Sequence, residues 1–76
     1  MAELLEYLAR QLVDEPEAVR VEQVEENDEL VLRLYVAEPD RGKVIGRQGR
    51  IARALRAVVR ASAARERRRV RLEIVD

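Results

Sequence analysis

Cysteine, histidine, tryptophan and phenylalanine are all missing from the 76 residues, and only two tyrosines are present. Without cysteine the chain can form neither a disulfide nor a thiolate metal site, and the lack is compatible with a reducing cytoplasm. Without histidine it lacks the commonest general base and metal ligand. Ser62 therefore has no imidazole to activate it, and no credible active site emerges. The only aromatics, Tyr7 and Tyr35, lie outside the basic segment, which argues against the stacking platforms of RRM and OB domains. No apolar run approaches the roughly 20 residues of a membrane-spanning helix. The start, Met1-Ala2-Glu3-Leu4, is acidic and amphipathic, unlike a signal peptide. A chain of this length is expected to form one domain that buries only about 60% of its unfolded surface. That leaves no room for a catalytic domain beside a binding one.

What the chain has in abundance is charge, and the formal balance of +0 conceals how it is arranged. Residues 1–40 carry three basic side chains (Arg10, Arg20, Arg33) against twelve acidic ones. Residues 41–71 carry twelve basic side chains against a single acid, Glu66. Such a split points to a polyanion partner for one face, unless the two halves neutralise each other across the fold. Fourteen of the fifteen basic residues are arginine. Arginine suits bidentate phosphate contacts, although codon composition also produces such a bias.

Hydropathy patterning supplies the elements. Leu4, Leu5, Leu8, Ala9, Leu12 and Val13 form an apolar stripe that predicts an amphipathic helix over 3–13. Asp14-Glu15-Pro16 ends it. Val19 and Val21 alternate with polar neighbours, predicting a strand over 18–26. Leu30, Leu32, Leu34 and Val36 predict a stronger one over 29–37. Asn27-Asp28 accepts positive φ and predicts a tight antiparallel hairpin. Glu38-Pro39-Asp40 breaks the second strand, and Asp40 is expected to cap a short helix over 41–45, which Gly46 stops. Ile51, Ala54, Leu55, Val58 and Ser62 share one face of a predicted helix over 50–64. Val70, Leu72 and Ile74 predict a last strand over 68–75. The two-helix connection between the second and third strands favours parallel pairing. The expected fold is α+β, in the order α-β-β-α-α-β, with a mixed three-stranded sheet covered on one face by three helices.

The most specific segment is Gly42-Lys43-Val44-Ile45-Gly46-Arg47-Gln48-Gly49-Arg50-Ile51. Two glycines three apart leave the backbone bare enough to lie against another backbone, and basic residues flank them. Placed at the start of a helix, such a loop offers free N–H donors and partial positive charge to phosphate. GxxG is the loop by which KH domains clamp about four nucleotides of single strand. The glycine spacing fits neither a phosphate loop nor a dinucleotide fingerprint. With its helix-GxxG-helix centre and element order, the whole chain, 1–76, resembles a single type II KH domain. Its length, the acidic helix around Leu4-Leu5-Glu6-Tyr7-Leu8, the Gly42–Ile51 run and Ala54-Leu55-Arg56 resemble the small bacterial single-KH proteins of the KhpA (YlqC-like) family. That resemblance implies single-stranded RNA binding, an RNA-chaperone role, a cytoplasmic location and a KhpB-like KH partner. It also implies a link to cell-shape and cell-envelope regulation. The competing expectation is a KH-fold module for dimerisation or protein interaction with little RNA affinity of its own. No cofactor, metal, catalytic residue or membrane contact is expected.

Within the loop, Arg47 and Gln48 must point outward and offer charge and amide hydrogen bonds to phosphate and sugar. Lys43 and Arg50 flank it as expected phosphate contacts. Of Val44, Ile45 and Ile51, some are expected to line the groove where bases rest and at least one to be ordinary core. Arg53, Arg56 and Arg60 fall opposite the predicted apolar face and are expected on the solvated side of the helix, steering RNA at long range. For Arg65 to Arg69, a secondary RNA contact and a solvated loop both remain open. Without aromatic stacking a lone module of this kind should bind weakly, so a second copy or a KH partner would supply affinity through effective concentration.

Overall fold

The computed structural model describes residues 1–75. Helix α1 spans Ala2–Leu12 and a 3-10 turn at Pro16–Ala18 follows. Strands β1 (Arg20–Glu26) and β2 (Glu29–Tyr35) form the hairpin. A second 3-10 turn, Glu38–Asp40, leads into α2 (Arg41–Ile45). The loop Gly46–Gly49 joins it to α3 (Arg50–Arg65), and β3 (Arg69–Ile74) follows. The sheet order is β1-β2-β3, with β1 antiparallel to β2 and β3 parallel to β2. Every expected element is present, and the two-helix crossover delivers the parallel pairing. The hairpin turns as its sequence suggests. Asn27 and Asp28 both take positive φ, 49° and 65°, the pair of angles that a two-residue turn needs to match strand twist.

Strand alternation decides what each face of the sheet meets. Leu30, Leu32 and Leu34 point to the helices and are essentially fully buried with Leu5, Ala9, Val44, Leu55, Val59 and Leu72. The opposite face is a charged grid. Glu22, Arg33 and Glu73 lie in one cross-strand row. Arg33 donates to Glu73 at 3.1 Å and to Glu22 at 3.2 Å, and approaches Glu26 at 3.5 Å. Arg71 reaches Glu29 at 3.2 Å, Glu73 at 3.4 Å and Glu26 at 3.6 Å. The hydrogen bonds from Arg33 to Glu73, then to Glu22, hold its pKa above the ordinary guanidinium value. Val31, in the middle of this grid, is fully covered.

Two local expectations need correction. The carboxylate of Asp40 makes no capping bond to α2; it turns away to accept backbone N–H groups from Asp14 and Glu15. The buried face of α3 is also not the predicted one. It consists of Ala52, Leu55, Val59 and Ala63. At 3.6 residues per turn that face lies about 90° round the helix from the set Ile51, Ala54, Leu55, Val58 and Ser62. Apolar residues occupy more than half the circumference of α3, so periodicity alone could not choose. Packing chose the side carrying Ala52 and Ala63, whose small side chains let the helix lie close to the sheet.

Candidate nucleic-acid interface

The loop is held between a helix too short to stand alone and one that is long enough to anchor it. Helix α2 has five residues and stops because Gly46, at φ 77° and ψ 171°, leaves helical space. The Gly46 N–H donates to the Gly42 carbonyl at 2.8 Å, and the Gly49 N–H donates to the Gly46 carbonyl at 3.1 Å. Gln48 is itself left-handed, at φ 56° and ψ 24°, and Gly49 follows at φ 74° and ψ 16°. Gly49 stands at the N-cap of α3, and no side chain caps that helix. The Arg50 N–H at the start of α3 turns back to the Arg47 carbonyl, so what the turn presents outward is bare glycine backbone at the end where the helix dipole favours negative charge.

Arg47, Gln48 and Arg50 are exposed around this opening, and an Arg50 N–H donates to the Gln48 side-chain oxygen at 3.4 Å. The three apolar neighbours separate. Val44 is fully buried and takes the core role expected of at least one of them. Ile51 is half-buried and faces α1, beside Leu8 and Leu12. Only Ile45 stays exposed next to the loop. Lys43 is not a free cation. Its ammonium lies 3.0 Å from Asp14 and 3.6 Å from Asp40. The hydrogen bond and charge of Asp14 raise its pKa above the ordinary value.

The rotation of α3 changes the surroundings of Arg56, which is half-buried, whereas Arg53 and Arg60 are exposed as expected. Arg56 and Arg60 line a crevice between α3 and β3 with Val59, Val70 and Leu72. Nearer the end of β3 the crevice continues past Arg56 to Tyr35, Ile74 and Val75. Tyr35 itself stays on the open face of the sheet, where its hydroxyl donates to Glu22 at 3.4 Å. Its ring is already covered by the Arg20 guanidinium, 4.4 Å from the ring centroid. The signal for Arg56 was in the sequence, as its position flanking Ala52, Leu55 and Val59, but it was legible only with the packed face known.

The charge split resolves in the same way. Of the twelve basic residues in 41–71, Lys43, Arg68 and Arg71 pair with carboxylates of the acidic half or of β3. The other nine, Arg41, Arg47, Arg50, Arg53, Arg56, Arg60, Arg65, Arg67 and Arg69, make no ion pair among the described residues. Acidic side chains are consumed largely on the open sheet face, so the arginines from the loop along α3 keep their charge for another partner. Among the described residues no helix is long and apolar enough to cross a membrane, and no cluster of ligating side chains suits a metal ion.

A small α+β module with an uncapped GxxG turn between two helices, in αββααβ order, defines a KH domain. The family described as KhpA/KhpB, KH domain, matches residues 2–74. RNA-binding protein KhpA of Halalkalibacterium halodurans is 50% identical over 76 residues, covering 100% of each chain. The KhpA proteins of Clostridium perfringens and Caldanaerobacter subterraneus are 49% and 47% identical over 75 residues, covering 99% of this chain and 100% of theirs. No solved structure matches. The chain belongs to the KhpA/KhpB KH-domain family.

Proposed function

We propose that this chain is a single KH module, spanning 1–76, that holds the backbone of single-stranded RNA at Gly46–Gly49. The observation that carries the proposal is the uncapped, glycine-framed start of α3 surrounded by arginines without ion pairs. Arg47, Gln48 and Arg50 would contact phosphate and sugar beside the bare backbone of Gly46 and Gly49, with exposed Ile45 at the rim. Arg56 and Arg60 would carry the strand along the crevice toward β3. The relatives named above are called RNA-binding proteins, and the role is one of binding, not catalysis. An RNA-chaperone activity, a cytoplasmic site of action and a link to cell-shape and envelope regulation belong to the same proposal on the strength of family membership.

The test is the double variant Arg47→Asp/Gln48→Asp, titrated with a fluorescent single-stranded RNA. It should lose binding while its circular dichroism stays that of the parent. The parent should weaken steeply with salt, by about 0.7 logarithmic units per tenfold salt for each phosphate contact. Undiminished binding by the double variant would sink the loop as the clamp.

A second reading, association with another KH chain, is favoured by one feature. Helices α1 and α3 each carry a wider apolar stripe than the core consumes. The excess edges, Leu8 and Leu12 on one and Ile51, Ala54 and Val58 on the other, line an apolar groove of about 420 Å³. We take its occupant to be a second copy of this chain. Because one family description spans KhpA and KhpB, a KhpB-like domain would seat there in the same manner. Val58→Glu should then shift sedimentation from dimer to monomer; a wild-type monomer at high concentration would refute self-association through this groove.

A further inference from the structure

Asp40 is the buried charged residue of the described chain, 1% exposed. One carboxylate oxygen accepts the Asp14 N–H at 3.2 Å and the other accepts the Glu15 N–H at 3.0 Å. Asp14 in turn presents its side chain to Lys43 at 3.0 Å, and Lys43 approaches Asp40 at 3.6 Å. The result is a closed ring of three residues. It joins the segment leaving α1 to the first turn of α2, across 25 and 26 residues of chain.

What the ring fixes is the approach to the loop. A five-residue helix has no independent stability, so α2 takes its orientation from what holds its sides. On the apolar side that is Val44, in the core. On the polar side it is Asp40 and Lys43. Gly46 follows two residues after Val44, so any tilt of α2 moves the loop against the start of α3. Burial of Asp40 opposes its charge, yet the N–H groups of Asp14 and Glu15 and the Lys43 ammonium outweigh it and hold its pKa below the ordinary value. A lysine already neutralised by two carboxylates has little charge to offer a phosphate.

We infer that Asp40, Asp14 and Lys43 form a positioning latch for the GxxG loop, and that Lys43 acts through this latch instead of contacting phosphate. The inference rests on the loop being the RNA clamp. It makes opposite predictions from direct contact. Asp14→Ala frees the Lys43 charge. If Lys43 touches RNA, binding should tighten; if it belongs to the latch, binding should weaken by about two- to fivefold, the equivalent of an exposed ion pair. Lys43→Met should weaken binding to a similar degree and leave the salt slope unchanged. Asp40→Asn should lose about tenfold, as for a loop competent only a tenth of the time. Amide exchange at Gly46 and Gly49 should quicken in all three variants.

Each is measured on the full chain, well below its melting temperature, against a fluorescent single-stranded RNA. Tighter binding by Asp14→Ala overturns the latch. So does a salt slope reduced by about 0.7 in Lys43→Met, or wild-type affinity in both. If Asp40→Asn fails to fold, the two exposed positions still decide. The Arg47→Asp/Gln48→Asp variant run alongside separates the two failures: if it binds normally the clamp is wrong, whereas if it alone loses binding the latch is wrong.

Discussion

The two glycines of the loop are not equivalent, and alanine substitution should expose the difference. Gly46 sits at φ 77° and ψ 171°, a region that essentially only glycine occupies, where another residue stores about 1–3 kcal/mol. A Cβ at this position would also lie 2.7 Å from Ile51 Cγ1 and 2.9 Å from both Ile51 Cβ and the Ile51 backbone nitrogen. Two of those three atoms belong to the stiff first turn of α3, so a rotamer change cannot relieve the clash. The helix start must shift, adding about 1–3 kcal/mol of overpacking. Gly46→Ala should thus cost about 2–6 kcal/mol. A chain this size has roughly 4–11 kcal/mol in all. Gly49, at φ 74° and ψ 16°, is left-handed but has nothing within 4 Å of its would-be Cβ. Gly49→Ala should cost about 1–2 kcal/mol, and Gly49→Asn less, because asparagine tolerates that conformation. Urea unfolding followed by circular dichroism measures both. Equal costs, or a harmless Gly46→Ala, would refute the reasoning from close approach and leave only a generic need for flexibility.

Three further outcomes follow from the packing and the charges. Val59 is 2% exposed and Val58 38%, so Val59→Ala should lose about 2 kcal/mol and Val58→Ala well under 1 in a monomer; the reverse order would restore the predicted helix face. Asp28 and Arg67 hold φ of 65° and 56°, so Asp28→Gly and Arg67→Gly should each raise stability by about 0.5–1 kcal/mol, read as a higher urea midpoint. The pH profile of stability should be flat between about pH 5 and 7, since no histidine titrates there. Asp40, with its pKa lowered in the fold, contributes stability above about pH 4 that is lost as pH falls through its folded value. Lys43, with its pKa raised, contributes below about pH 10.4 and loses that contribution as pH rises through its folded value. Asp40→Asn should therefore flatten the acid limb measured by urea midpoints.

Most of the secondary structure was legible because it is written in local terms. Period-two alternation in Leu30–Val36, positive-φ residues at Asn27-Asp28 and a helix-stopping Gly46 each act within a few residues. The loop was legible for the same reason, since its chemistry is that of bare backbone at a helix start. The misreadings were all questions of direction. Asp40 sits where a capping residue belongs, and its sequence neighbours cannot reveal that Asp14 and Glu15 bring backbone donors nearer than those of α2. The pairing of Lys43 was equally out of reach of local reading, because the carboxylate 3.0 Å away comes from the chain leaving α1.

The amino-acid order by itself determined the element sequence, the glycine-framed loop and the unequal sharing of charge between the two halves of the chain. Tertiary structure alone decided which side of α3 is core, because apolar residues cover more than half of that helix and only contact with the sheet selects Ala52 and Ala63. That choice turned Arg56 and Arg60 toward β3 and left Val58 facing α1. It also decided which charges are spent. Ion pairing depends on distances between strands that the linear order does not contain, and those distances neutralise the open sheet face while leaving the arginines around the loop and along α3 unpaired.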